Sequence, residues 1–140
     1  MKARIKWVEQ ACLVAEAGSG HGVVVDGSPE IGGRNLGVRP MEMVLMGLGG
    51  CTAMDVLSIL KKQRQQITDC VIEVEGQRRD EHPKVFTQIH LRYIITGHNL
   101  KESLVKRAVD LSADTYCSVS AMLAQTATIT HDYEIVAANG

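Results

Sequence analysis

The chain has 140 residues, 45% of them hydrophobic and 22% charged, with 15 Lys and Arg against 16 Asp and Glu for a net charge of -1. A chain of that length can bury a core without disulfides or metals, and its composition excludes a disordered or low-complexity protein. The balanced charge offers nucleic acid or anionic lipid no electrostatic footprint, and one Phe, one Trp and three Tyr are too few for a base-stacking platform.

Residues 2–8, 11–17 and 21–27 are short apolar-rich segments divided by turn signals, and they predict three strands. Met1 to Trp7 is basic with no apolar run behind it, so it does not read as a signal peptide and the expected location is cytoplasmic. The glycine-rich stretch 28–39 has no periodic apolar face and predicts a long loop of the functional or mobile kind. Its glycines do not join a strand to a helix at phosphate-loop spacing, which argues against nucleotide binding.

Pro40 and Glu42 suit a helix N-terminus, and Lys61 and Lys62 suit its end. Between them the chain is apolar on nearly every side, which predicts a surrounded helix. The uncharged run from Met43 to Met54 is shorter than the roughly 20 residues that span a bilayer. Gly47, Gly49 and Gly50 each cost about 1 kcal/mol relative to Ala inside a helix, so close backbone approach is expected there. Residues 70–76 and 85–96 alternate as an antiparallel hairpin. Asn99 and Glu102 form a capping-box pattern ahead of a second helix. A break at Cys117 precedes a short helix over 119–125, and 126–136 alternates as a last strand. The expected order is βββ-α-ββ-α-α-β, an α+β fold in a single domain over 1–140.

The four cysteines, at 12, 51, 70 and 117, show no CxxC or finger spacing, and the histidines at 21, 82, 90, 98 and 131 make no HExxH. No metal or cofactor is therefore expected. Cys51, inside an apolar helix, reads most simply as a small buried hydrophobe. The neighbouring glycines and the loop residues Arg34 and Arg39 open the other reading, a thiolate favoured by nearby cations. Cys117 stands at a helix start, where backbone N–H groups lower a thiol pKa, or else it fills the core. Cys12 and Cys70 read as structural.

With these residues assembled, the chain resembles the OsmC/Ohr family of thiol peroxidases, most closely its YhfA-like branch. The segments that carry the resemblance run from Pro40-Met41-Glu42 through Gly47-Leu48-Gly49-Gly50-Cys51-Thr52 to Asp55-Val56, and from Ala108-Val109 through Asp114-Thr115-Tyr116-Cys117-Ser118 to Val119. The resemblance implies an intertwined homodimer, with long central helices packed together against antiparallel sheets. It also implies that Cys51 attacks an organic hydroperoxide, hydrogen peroxide being a poorer substrate, and that Cys117 resolves the sulfenic acid as a disulfide. An external thiol then reduces that disulfide. In the peroxidase branch an Arg stabilises the thiolate and a Glu holds the Arg. The candidates here are Arg4 or Arg39, and Glu42, which stands one place later than the branch's Glu because Met41 follows Pro40. Ser118 stands where that branch usually has Pro. Met43, Met46, Leu48 and Met54 are expected to wall a dry pocket for a lipophilic peroxide. Two other readings stay open on the sequence: a non-catalytic dimer that binds a small apolar or thiol ligand with cysteines only structural, and Cys–His hydrolysis.

Overall fold

The computed structural model of the protein describes residues 1–139. The chain divides into two compact units, Met1–Val44 and the remainder from Leu45.

In the first unit, β1 (Ala3–Glu9), β2 (Cys12–Ala17) and β3 (Gly22–Val25) form an antiparallel meander, with Trp7 opposite Leu13 and Val14 opposite Val24. Every residue of β1 is exposed, Ile5 and Trp7 included. The loop after β3 is ordered by one buried carboxylate. Asp26 Oδ1 accepts the N–H of Gly27 at 2.7 Å, while Oδ2 accepts those of Arg34 at 3.2 Å and Leu36 at 3.1 Å. Gly33 is required at its position, because a Cβ there would collide with the Gly27 carbonyl. Residues 28–39 thus form a built turn wrapped around Asp26.

Helix α1 (Pro40–Lys62) starts where predicted. Glu42 accepts the backbone N–H of Arg39 at 2.8 Å, the acidic half of a capping box. At the other end Arg64 adopts φ 56°, and Gln65 N–H closes on the Leu60 carbonyl at 3.0 Å. Only one stripe of α1 is fully buried within the chain, namely Leu48, Thr52, Val56 and Leu60 at i+4 spacing. The expectation of a helix surrounded on all sides is therefore not met by one chain: Met46, Met54 and Leu57 are exposed. The glycines divide in the same way. A Cβ on Gly49 would press on Val74, whereas one on Gly47 or Gly50 would meet nothing.

In the second unit α1 meets, through Gly49 at Val74 and Thr52 at Tyr93, a three-stranded sheet ordered β4 (Gln66–Arg78), β5 (Phe86–His98), β6 (Thr128–Ala137). The β4–β5 pair is the predicted hairpin; β4 extends past its predicted bounds at both ends, while β5 starts one residue later and ends two later than expected. The prediction of antiparallel sheets holds for the first sheet, but β6 runs parallel to β5, so the second is mixed. Helices α2 (Glu102–Leu111) and α3 (Ser118–Leu123) supply the crossover that a parallel pair needs. The centre strand β5 sends Leu91, Tyr93 and Ile95 into the core, where α2 adds Val105, Ala108 and Val109. Asn99 does not cap α2. It takes φ 50°, and Lys101 stands at the cap with its N–H on Gln65 Oε1 at 3.0 Å. Between α2 and α3 the chain makes one wide π turn, Ser112–Tyr116, closed by Cys117 N–H on the Ser112 carbonyl at 2.9 Å.

The first unit carries its own acid sensitivity. Backbone N–H donors, Leu36 foremost, hold the Asp26 carboxyl below the usual carboxylate range against the opposing effect of burial. Its stabilisation is complete above the ordinary carboxylate pKa and lost as pH falls through the lowered one. Asp26→Ala is expected to raise amide exchange across 28–39 at neutral pH, and wild-type exchange there should rise in acid; unchanged exchange in the variant would contradict this role.

Candidate active site

The site lies in the second unit, at the fourth turn of α1 and the cap of α3. Cys117 is the N-cap residue of α3, and Ser120 N–H donates to its sulfur at 3.4 Å. Cys51 is half-buried on α1 and Cys117 is buried, and both are free thiols. One sulfur from each and one carboxylate oxygen of Asp55 lie within 4.8 Å of one another. The cysteine pair that the sequence singled out is thus brought together across 66 residues, unbonded and poised close. Asp55 carries no motif signal of its own, although a residue four places on from Cys51 must share its helix face. The three groups are one donor short of the four that a structural zinc takes, and no histidine nitrogen belongs to the cluster among the described residues. Cys–His hydrolysis gains no support from this arrangement.

A chain of hydroxyls fixes Asp55. Ser112 Oγ donates to Asp55 Oδ2 at 2.9 Å, Thr52 Oγ1 lies 2.7 Å from Ser112 Oγ, and Tyr93 Oη lies 2.6 Å from Thr52 Oγ1. A hydroxyl has one hydrogen to give, so the first bond sets the direction of the rest. Tyr93 donates to Thr52, Thr52 to Ser112, and Ser112 to the carboxylate. Thr52 and Ser112 are buried at 1% and 0% exposure, where an unsatisfied hydroxyl would cost about 1–3 kcal/mol. No sequence pattern reveals this chain, because its members lie 41 and 60 residues apart.

Burial dominates the electrostatics of the pair. It pushes the Cys117 thiol up to about 11, and the neighbouring Cys51 sulfur and Asp55 carboxylate push the same way. The Ser120 N–H bond lowers it, as a helix start should, but is outweighed. Cys117 therefore holds its proton at neutral pH. Burial likewise raises Cys70, with Asp69 adding to the effect.

The other predicted site residues belong to the first unit. Arg4 lies on β1, its side chain 66% exposed and 3.9 Å from Glu16. Arg39 Nη1 donates to Asn35 Oδ1 at 2.9 Å and to the Gly37 carbonyl at 3.2 Å. Arg34 pairs with Glu9 at 2.7 Å. The expected apolar wall is not one surface: Leu48 lies on the buried stripe of α1, while Met46 and Met54 lie on its exposed face. A cavity of about 410 Å³ does border the site, lined by Asp55, Ile59, Lys62, Arg107, Leu111 and Tyr116 among others.

A thiol pair beside a long glycine-bearing helix, on a two-sheet α+β frame, defines a class, and the family model for OsmC-like proteins matches residues 32–132. The chain belongs to that family. It is 50% identical to Protein YhfA of Escherichia coli over 138 residues, 99% of this chain and all of that one. Among solved structures, a hypothetical protein from Aquifex aeolicus is 29% identical, with a TM-score of 0.86 over 99% of this chain and 97% of that one. An organic hydroperoxide resistance protein from Legionella pneumophila shares the fold at 16% identity, with a TM-score of 0.72 over 95% of each chain.

The raised Cys117 thiol sets an alkaline limit. Between its ordinary value near 9 and about 11 the unfolded chain releases a proton that the folded chain keeps, so stability falls as pH rises through that window. The denaturation midpoint of the wild type should drop more steeply from pH 8.5 to 10.5 than that of Cys117→Ala; parallel curves would refute the assignment.

Proposed function

We propose that the protein is a thiol-dependent peroxidase that reduces organic hydroperoxides and is recycled by an external thiol. The observation that carries this reading is the approach of two free thiols, Cys51 and Cys117, to within 4.8 Å. The Cys51 thiolate attacks the terminal peroxide oxygen, releases an alcohol and becomes a sulfenic acid. Cys117 then attacks the Cys51 sulfur, water leaves, and a disulfide forms. Cys51 suits the first role because it is the more accessible of the two, and Cys117 suits the second because it stays protonated until needed. Family membership supports the same chemistry, as does the fold shared with a protein named for organic hydroperoxide resistance. For the activating cation, Arg39 is the better candidate than Arg4. Two hydrogen bonds hold its guanidinium, and Glu42 anchors its backbone, whereas Arg4 is largely solvated.

Cumene hydroperoxide added to the reduced protein should consume Cys51 and Cys117 together and yield their disulfide. Cys51→Ser should abolish the reaction, and Arg39→Ala should slow it at least about tenfold by removing a charge that favours the thiolate. If both thiols persist in wild type, the peroxidase reading fails and a ligand-binding OsmC-fold protein takes its place.

The working form is a homodimer. Gly47, Gly50, Met54 and Leu57 recur at 3-4-3 spacing along the face of α1 opposite its buried stripe, open within the chain. In a helix whose apolar window is only 22% buried, such a face calls for a cover, and glycines let another backbone approach closely. By length and composition alone the same helix could cross a membrane, so the cover must be tested. Sedimentation in detergent-free buffer should give about twice the 15.2 kDa of one chain, and Gly50→Glu should shift it toward the monomer. A wild-type monomer, or a protein that stays in solution only with detergent, would reject the dimer.

A further inference from the structure

We infer that Asp55 is the general base of disulfide closure, taking the proton of Cys117 as its sulfur attacks Cys51. This rests on the peroxidase reading for its peroxide arm only. The site creates a difficulty for itself. Cys117 must attack as a thiolate or become one during attack, yet burial holds its proton in place up to about pH 11. Something must accept that proton. The titratable groups facing Cys117 are Cys51 and Asp55 from α1 and Tyr93 from β5. Cys51 is the electrophile at that step and cannot serve. Tyr93 is a neutral phenol pushed further up by burial and commits its hydrogen to Thr52. Asp55 remains, with an oxygen within 4.8 Å of both sulfurs, a gap that one water or a small side-chain adjustment closes.

The hydroxyl chain gives this assignment its geometric content. Three buried donors in sequence terminate on Oδ2, which fixes the carboxylate plane and leaves Oδ1 free of protein partners among the described residues. The free oxygen can take a proton and return it, while the other is held still. The step balances: the Cys117 S–H bond breaks, its electron pair forms the bond to Cys51 sulfur, and the S–O bond of the sulfenic acid breaks. The proton taken by Asp55 is handed to the departing hydroxide, which leaves as water. Returning the proton within the step helps a carboxylate assist so weak an acid. Asp55 also borders the 410 Å³ cavity, which gives that water a way out.

The test uses full-length protein with Cys12→Ala and Cys70→Ala, so that only the pair reacts, and compares it with D55N and D55E. Asparagine still accepts the Ser112 hydrogen bond but cannot take a proton. In the peroxide arm, D55N should still form the Cys51 sulfenic acid, and a dimedone label should trap it because closure is about 100-fold slower. In the second arm, Ellman's reagent loads Cys51 as a mixed disulfide and the release of the second nitrothiobenzoate reports attack by Cys117. D55N should also slow that release, the proton passing from Asp55 to solvent because nitrothiobenzoate leaves as an anion, and D55E should recover part of it. Raising the pH toward 10.5 should bring D55N toward the parent, as Cys117 ionises unaided. A merely structural Asp55 would show no such convergence. Equal closure rates in D55N and parent, a deficit that does not vary with pH, or a parent that never releases the second nitrothiobenzoate would overturn the inference. Silence in the peroxide arm with a D55N defect in the second would sink the peroxidase reading and leave Asp55 in its role.

Discussion

The hydrogen-bonded joint at Thr52 is the constraint on which the site depends. Its single hydroxyl ties α1 to β5 through Tyr93 and to the π turn through Ser112. Cys51 is its covalent neighbour, and Cys117 closes the π turn on the carbonyl of Ser112. Two thiols from distant parts of the chain are therefore located by one buried contact. A loose joint would blur their separation by ångströms, which is the scale on which sulfur chemistry succeeds or fails. Because the joint is polar, it also has a direction, and an apolar contact of the same shape could not orient a carboxylate.

Local chemistry was legible in the sequence where its cause was local. Pro40 and Glu42 announced α1, the alternation after Cys70 announced the hairpin, and the glycine-flanked Cys51 drew attention as a family-like motif. What escaped was set by partners far along the chain. Asn99 had the composition of a cap, but its positive φ and the Gln65 side chain settled the turn differently. Asp26 is one polar residue near the end of the segment 21–27, and only the return of Arg34 and Leu36 shows it as the post around which a loop is wound. The parallel pairing of β6 depends on two intervening helices that alternation cannot see. Thr52 and Ser112 carry no signal as single letters, since a lone hydroxyl in an apolar run is ordinary.

Helix α1 shows where the physics of one chain stops. Its inward stripe repeats every four residues and ends in a settled core, while the opposite stripe repeats at 3-4-3 spacing and ends in glycines with nothing above them. The apolar excess that predicted a surrounded helix is real, but a single chain uses only one side of it.

The π turn has a consequence for how such a site can arise or vanish. A wide turn of this kind holds one residue more than an α-helical path between the same endpoints. Removing any one residue from 112 to 116 would let α2 continue in ordinary phase and swing the segment after it by roughly 100°, carrying Cys117 away from Cys51 while leaving both cysteines in the sequence. Within this family, then, an inventory of cysteines is a weaker guide to redox pairing than the count of residues between Ser112 and Cys117. A relative that keeps the thiols but shortens that interval has changed its chemistry by arithmetic alone.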